Sequence, residues 1–156
     1  MNKRLFNSIL GVLTILLVLT TPVLAENIPV EGVISSTTTD VMRPAGYLVD
    51  DSNETGWGFK TQANYGWAVL TLEESSLIHG INITGNLAAE TRLVIDYKVE
   101  ERWVPFLAAS MDSLPTDGFI DLSYDGVATD KVRIRLSGNG VANSTIYELK
   151  VEGKKG

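Results

Sequence analysis

The side chains able to do acid–base or nucleophilic chemistry are few and poorly grouped. The chain of 156 residues holds one histidine and no cysteine. Thiol nucleophiles, disulfides, cysteine-ligated zinc and iron–sulfur clusters are therefore excluded, and so is a multi-histidine metal site. His79 lies in Ile78-His79-Gly80-Ile81, outside any catalytic or metal motif, and reads as a loop or strand-edge residue. Glu73-Glu74 and Glu100-Glu101 are adjacent carboxylates. Neighbours on a strand point to opposite faces, so adjacency makes no general acid–base pair. No serine sits in a G-x-S-x-G elbow. An enzyme is not expected. The three tryptophans, Trp57, Trp67 and Trp103, are flat faces on which a pyranose ring could stack, but large aromatics also dominate interiors. The net charge of −6 argues against nucleic acid or an anionic membrane as electrostatic partner.

The elements that must position these residues begin after a leader. Lys3 and Arg4 precede an apolar run at residues 9–19, and Val23-Leu24-Ala25 resembles a signal-peptidase site. The run is short for a bilayer span, which needs ~20 residues. Residues 1–25 therefore read as a cleaved signal peptide rather than an anchor, with no stable membrane insertion afterwards. Without cysteine there is no lipobox. Removing Lys3 and Arg4 takes the charge from −6 to −8. Residues 26–156 read as one domain, long enough for one core.

That domain alternates with period 2 rather than 3.6. Ala68, Leu70 and Leu72 share a face. Leu93, Ile95, Tyr97 and Val99 share another, with Asp96 and Lys98 opposite. Val132, Ile134 and Leu136 point one way, Arg133 and Arg135 the other. Ile81 and Ile83, and Leu149 and Val151, form shorter pairs. Turns are signalled at Gly85-Asn86, Asp117-Gly118, Asp125-Gly126 and Gly138-Asn139-Gly140. Residues 26–30 read as a short lead-in and residues 153–156 as a polar tail. Short strands with one apolar face and frequent turns predict an all-β antiparallel β-sandwich or jelly roll, with a small β-barrel as the alternative.

Three segments, in order, carry a resemblance. They are YLVDDSNETGW (residues 47–57), IDYKVEERWV (residues 95–104), and KVRIRLSG followed by STIYELKVEG (residues 131–153). Together they resemble the discoidin, or coagulation factor 5/8 type C, domain family, across roughly residues 30–153. The resemblance implies a galactose-binding-domain-like jelly roll. Asp51 stands where the family has a glycine, Ser52 where it has asparagine, and Glu100-Glu101 near its middle Asp-Gly. Aspartate tolerates the left-handed conformation, so the tight turn at Asp51 remains feasible.

The resemblance further implies a structural calcium ion (Ca2+). Carried over position by position, its ligands would be the carbonyl of Tyr47, the carboxylate of Asp50, the carbonyl of Ser52, Thr55 through hydroxyl or carbonyl, the carbonyl of Tyr147 and the carboxylate of Glu148. Such a mixed hard-oxygen set suits calcium. The family packs tryptophans at or beside the positions of Trp57, Trp67 and Trp103, so these are expected in the core. Ligands would meet loop tips at residues 35–43, 58–65, 86–90 and 137–143. These tips offer Arg43, Phe59, Lys60, Asn64, Tyr65, Asn86, Asn139 and Asn143.

The function implied is non-catalytic binding of a cell-surface or extracellular glycan by a secreted or surface-associated domain. The alternative is a protein- or lipid-binding adhesion domain, possible partners including a surface protein, with Met42, Phe59 and Tyr65 as apolar spikes.

Overall fold

A computed structural model describes residues 25–122 and 126–156, with the backbone alone for 107–110. The leader assigned to residues 1–25 lies outside the described residues except for Ala25, as does Asp125 of the expected Asp125-Gly126 turn.

The described residues form eight strands: β1 Glu26–Ile28, β2 Val30–Ser35, β3 Tyr65–Asn86, β4 Arg92–Val99, β5 Arg102–Met111, β6 Phe119–Asp121, β7 Val127–Ser137 and β8 Thr145–Lys155. All their pairings are antiparallel. The long strand β3 organises them. Its first part pairs with β2 and β7. Its register with β7 breaks between Thr71 and Ser76 and resumes over Ser76, Leu77 and Ile78, where β8 joins on the other side, and the rest of its second part pairs with β8 and β6. β3 thus turns a corner and belongs to both layers of a sandwich. One layer runs β2-β3-β7-β4-β5 and the other β1-β8-β3-β6.

The core lies between the layers and follows the predicted alternation. Ala68, Leu70 and Leu72 of β3, Leu93 and Ile95 of β4, and Val132, Ile134 and Leu136 of β7 are buried against Ile81, Ile83, Leu149 and Val151 of the second layer. Each fully buried Leu or Ile contributes about 1.5–3 kcal/mol relative to an exposed one. β1 and β5 end the strand path without pairing to each other. The sheet is therefore open, and the barrel alternative is excluded.

Several sequence expectations need correction. The segment 153–156 is no tail: β8 continues to Lys155, which pairs with Ser76, while Lys154 pairs with Leu77. Gly153 makes this possible, because a Cβ there would lie 2.2 Å from the Leu77 carbonyl oxygen. The lead-in at residues 26–30 is also structured. Glu26–Ile28 pairs with β8, and Ile28 is buried. His79 sits inside β3, at a register shift between Ile78 and Gly80, where its carbonyl accepts the Leu122 amide at 2.9 Å. Glu100-Glu101 form the tight turn between β4 and β5, with Glu100 at φ 53°. Asp51 has φ 58°, the left-handed turn expected in place of glycine.

Candidate functional site

The corner in β3 returns both of its ends to one end of the sandwich. Tyr65 pairs with Ser137 and Asn86 with Thr145, the two residues that bound the β7–β8 connection. All four predicted loop tips converge there and are tied by backbone bonds. Gly138 N–H donates to the Asn64 carbonyl at 2.9 Å, Ala142 N–H to the Ala63 carbonyl at 3.1 Å, and Lys60 N–H to the Thr38 carbonyl at 2.9 Å. Ser144, fully buried, accepts the Ala88 amide at 3.0 Å and lies 3.1 Å from the Thr91 hydroxyl. Gly138 has φ 116°, and a Cβ on it would stand 1.9 Å from the Glu90 carbonyl oxygen. Only glycine lets these two loops touch.

This end presents Lys60, Asn64, Asn86, Asn139 and Asn143 to solvent, with Tyr65 40% exposed. Two of the predicted binding residues do other work. Phe59 is 1% exposed and packs on Trp57 with ring centroids 4.6 Å apart. It is a core residue, neither a stacking face nor an apolar spike. Arg43 is spent inside the loops: it donates to Asp40 at 3.2 Å and to the Phe59 carbonyl at 2.9 Å, and reaches the Thr145 hydroxyl at 3.5 Å. The Met42 amide, together with Arg43 and against some burial, holds the Asp40 carboxyl below the usual range.

The six residues implied as calcium ligands lie where the loop after a short 3-10 turn, Ala45–Val49, meets β8. Asp50 accepts the Ser52 amide at 3.1 Å and the Thr55 hydroxyl at 2.5 Å. The Thr84 hydroxyl reaches Asn53 at 3.3 Å, so the loop lies over the outer face of β3 and β8. Under it, Glu148 is buried, and its Oε2 has no hydrogen-bond partner. Burial pushes the Glu148 carboxyl above the usual range. Lys150 and the Ser52 amide oppose this, while Asp51 and Asp50 add to it. An orphaned buried carboxylate oxygen facing a hard-oxygen loop is the chemistry a divalent cation would satisfy. No group of three or more acidic or histidine side chains assembles among the described residues. A cation here would therefore rely on backbone carbonyls beside Asp50 and Glu148.

A third place was missed in the sequence. Of the tryptophans expected in the core, only Trp57 is fully buried. Trp67 and Trp103 are half-buried on the outer face of the first layer. With Ile34, Val69, Lys98, Lys131 and Arg133 they line a groove of ≈ 290 Å³. Beneath it Asp96, 1% exposed, receives Arg133 at 2.8 Å and Arg135 at 2.6 and 2.9 Å. This double contact keeps the Arg135 guanidinium above its ordinary value, against some burial. The available signal was parity: Trp67 alternates with Ala68, Leu70 and Leu72, so it points away from them.

No protein-family model and no curated protein matches the chain. Solved structures do match in fold. A family 32 carbohydrate-binding module from C. perfringens NanJ, in complex with galactose, superposes with TM-score 0.66 at 19% identity, over 83% of this chain and 99% of that one. Chitosan-binding module 1 of a chitosanase/glucanase from Paenibacillus sp. IK-5 gives TM-score 0.66 at 16% identity, over 82% and 99%. A pectin-binding carbohydrate-binding module gives 0.64 at 19%, over 80% and 91%. The likeness is one of fold: the galactose-binding-like jelly roll of carbohydrate-binding modules.

Proposed function

We propose that this chain is an exported, non-catalytic carbohydrate-binding domain that meets its glycan at the loop end of the sandwich. The observation that carries the reading is the convergence of four separate loops into one hydrogen-bonded platform. That platform exposes Lys60, Asn64, Tyr65, Asn86 and Asn139. Amides, an ammonium and a phenol ring supply the donors, acceptors and flat face that a sugar needs. The fold supports it, since modules of this architecture bind galactose, chitosan or pectin. Export rests on the leader at residues 1–25, and action at or outside the cell surface follows from it.

In this reading a calcium ion, held by Asp50, Glu148 and the carbonyls of Tyr47, Ser52 and Tyr147, with Thr55 beside them, staples the loop to β8. Its support is the unpartnered Glu148 oxygen. It acts on the scaffold and does not touch the glycan. A single site of this kind binds weakly, because a few hydrogen bonds compete with water.

The test is a glycan-array screen of the purified protein in calcium buffer. A coherent set of ligands sharing one terminal sugar, weakened by Lys60→Ala and Asn139→Ala, supports the reading. A blank from protein shown to be folded sinks it. A second reading, docking to a protein or lipid surface, rests on Val41 and Met42, which are 82% and 77% exposed on the first loop. Sedimentation with liposomes that is lost on Met42→Asp would favour it.

A further inference from the structure

The groove on the outer face of the first layer adjoins the loop platform where Tyr65 interacts with Arg135, but none of the residues that line it belongs to the platform. We propose that it is a second saccharide site, built for a stretch of polysaccharide carrying carboxylates, that is, uronate residues. It stands independently of the loop site.

Its walls are indoles. Trp67 is on β3 and Trp103 on β5, with β7 and β4 between them. Three strand spacings separate them across the sheet, ~14 Å, and along the strands they are offset too, since Trp67 is in line with Val94 through Arg135 whereas Trp103 pairs with Lys98. An occupant touching both is therefore longer than one sugar ring. Val69 lies on the floor, and Ile34 stands 64% exposed beside it. The volume of ≈ 290 Å³ is at the lower end for ligand pockets, about 300 Å³.

The cations decide the class of occupant. Lys98, Lys131, Arg133 and Arg135 share this face with Asp96, while Glu101 reaches back to Lys98 at 3.2 Å from the β4–β5 turn. These four cations have two carboxylate partners among the described residues, Asp96 and Glu101, so this part of the face is positive on a chain whose net charge is −6. Asp96 is shared by two arginines, and Glu101 is 94% exposed. No carboxylate of the described residues lies within ion-pair distance of Lys131. Arg133 is held over the Trp103 ring, 4.5 Å from its centroid.

A small inorganic anion would leave both indoles uncovered. A neutral sugar would cover the indoles and leave Lys131 desolvated without a partner. A uronate ring does both jobs: its apolar face lies on the indole and its carboxylate meets the ammonium or guanidinium. The Asp96–arginine contacts hold the cationic row in place before any ligand arrives, which lowers the ordering cost of binding.

The test is calorimetric titration of the full chain with de-esterified oligogalacturonate, its methyl ester and dextran sulfate. The acid should bind, with the ester at least about tenfold weaker, and added salt should weaken the acid further. Trp103→Ala and Lys131→Glu should each weaken it at least about tenfold. Lys131→Glu should leave the melting temperature near that of the parent, which separates lost binding from lost folding. Lys60→Ala and Asn139→Ala, at the loop platform, should leave this affinity unchanged. Equal binding of acid and ester, or insensitivity to Lys131→Glu, overturns the proposal. Loss on the loop variants instead moves the site to the platform and also overturns it. Binding of dextran sulfate, a polyanion without carboxylates, in the absence of oligogalacturonate binding overturns the uronate assignment. Self-association abolished by Trp103→Ala, with no saccharide bound, identifies the groove as a contact between copies and overturns it as well.

Discussion

The guanidinium of Arg133 is fixed from two sides: its carbon lies 4.5 Å from the Trp103 ring centroid, and its Nε donates to Asp96 at 2.8 Å. Asp96 is 1% exposed. Removing it leaves two guanidiniums facing each other without their shared acceptor. Asp96→Ala should destabilise the fold by about 3 kcal/mol. Urea unfolding at neutral pH measures it, and a loss below about 1 kcal/mol would contradict the shared-acceptor geometry.

The three tryptophans should separate in stability. Trp57 is 0% exposed, packs on Phe59 and donates its indole N–H to the Thr39 hydroxyl at 3.0 Å. Trp57→Ala should cost about 3–5 kcal/mol. Trp67→Ala and Trp103→Ala, on the half-buried outer face, should each cost roughly half that or less. Equal losses for all three in the same denaturation assay would place all three in the core after all.

Gly138 tests the loop platform. Both its φ of 116° and the Glu90 carbonyl oxygen 1.9 Å from a would-be Cβ forbid a side chain. Gly138→Ala should destabilise by more than about 1 kcal/mol and should reduce glycan binding along with it. Asn139→Ala, next in the chain and exposed, should reduce binding while leaving the melting temperature unchanged. If the two variants behave alike in both assays, loop geometry does not govern binding.

Glu148 carries a pH signature. Burial raises its carboxyl in the folded state above the ordinary 4.5, so the folded chain holds that proton more tightly than the unfolded chain. The stability this contributes is full below 4.5 and is lost as pH rises through the raised value. With chelator present at neutral pH, Glu148→Gln should therefore melt higher than the parent, and the gap should close as pH falls toward 4.5. A flat gap across that window would contradict the burial effect.

Calcium should reverse that order. Excess calcium should raise the melting temperature of the parent but not of Glu148→Gln or Asp50→Ala, because each variant lacks a charged ligand. Identical melting of the parent in chelator and in calcium would remove the cation from the account.

Much of this protein was legible in its residues because a strand's side chains alternate with fixed parity. Leu70, Ile95, Ile134 and their neighbours could be assigned to one buried face from spacing alone, while the turn at Asp51 came from the resemblance, aspartate tolerating the conformation the family gives to glycine. Parity also holds the signal that sets Trp67 apart from Ala68, Leu70 and Leu72, although Trp67 was expected in the core, and it says nothing about what a neighbouring strand places beside the outward residue. The corner in β3 is not legible either: two apolar alternations, Ala68-Leu70-Leu72 and Ile81-Ile83, read as separate strands, whereas one strand runs through Thr71 to Ser76 from layer to layer. That corner gathers the four loops at one end, and the register across β3, β7, β4 and β5 gathers Trp67, Arg133 and Trp103 on one face. Alternation is a local property of the backbone. Which residues meet across strands depends on register and layer, and those are set by the burial of the whole core.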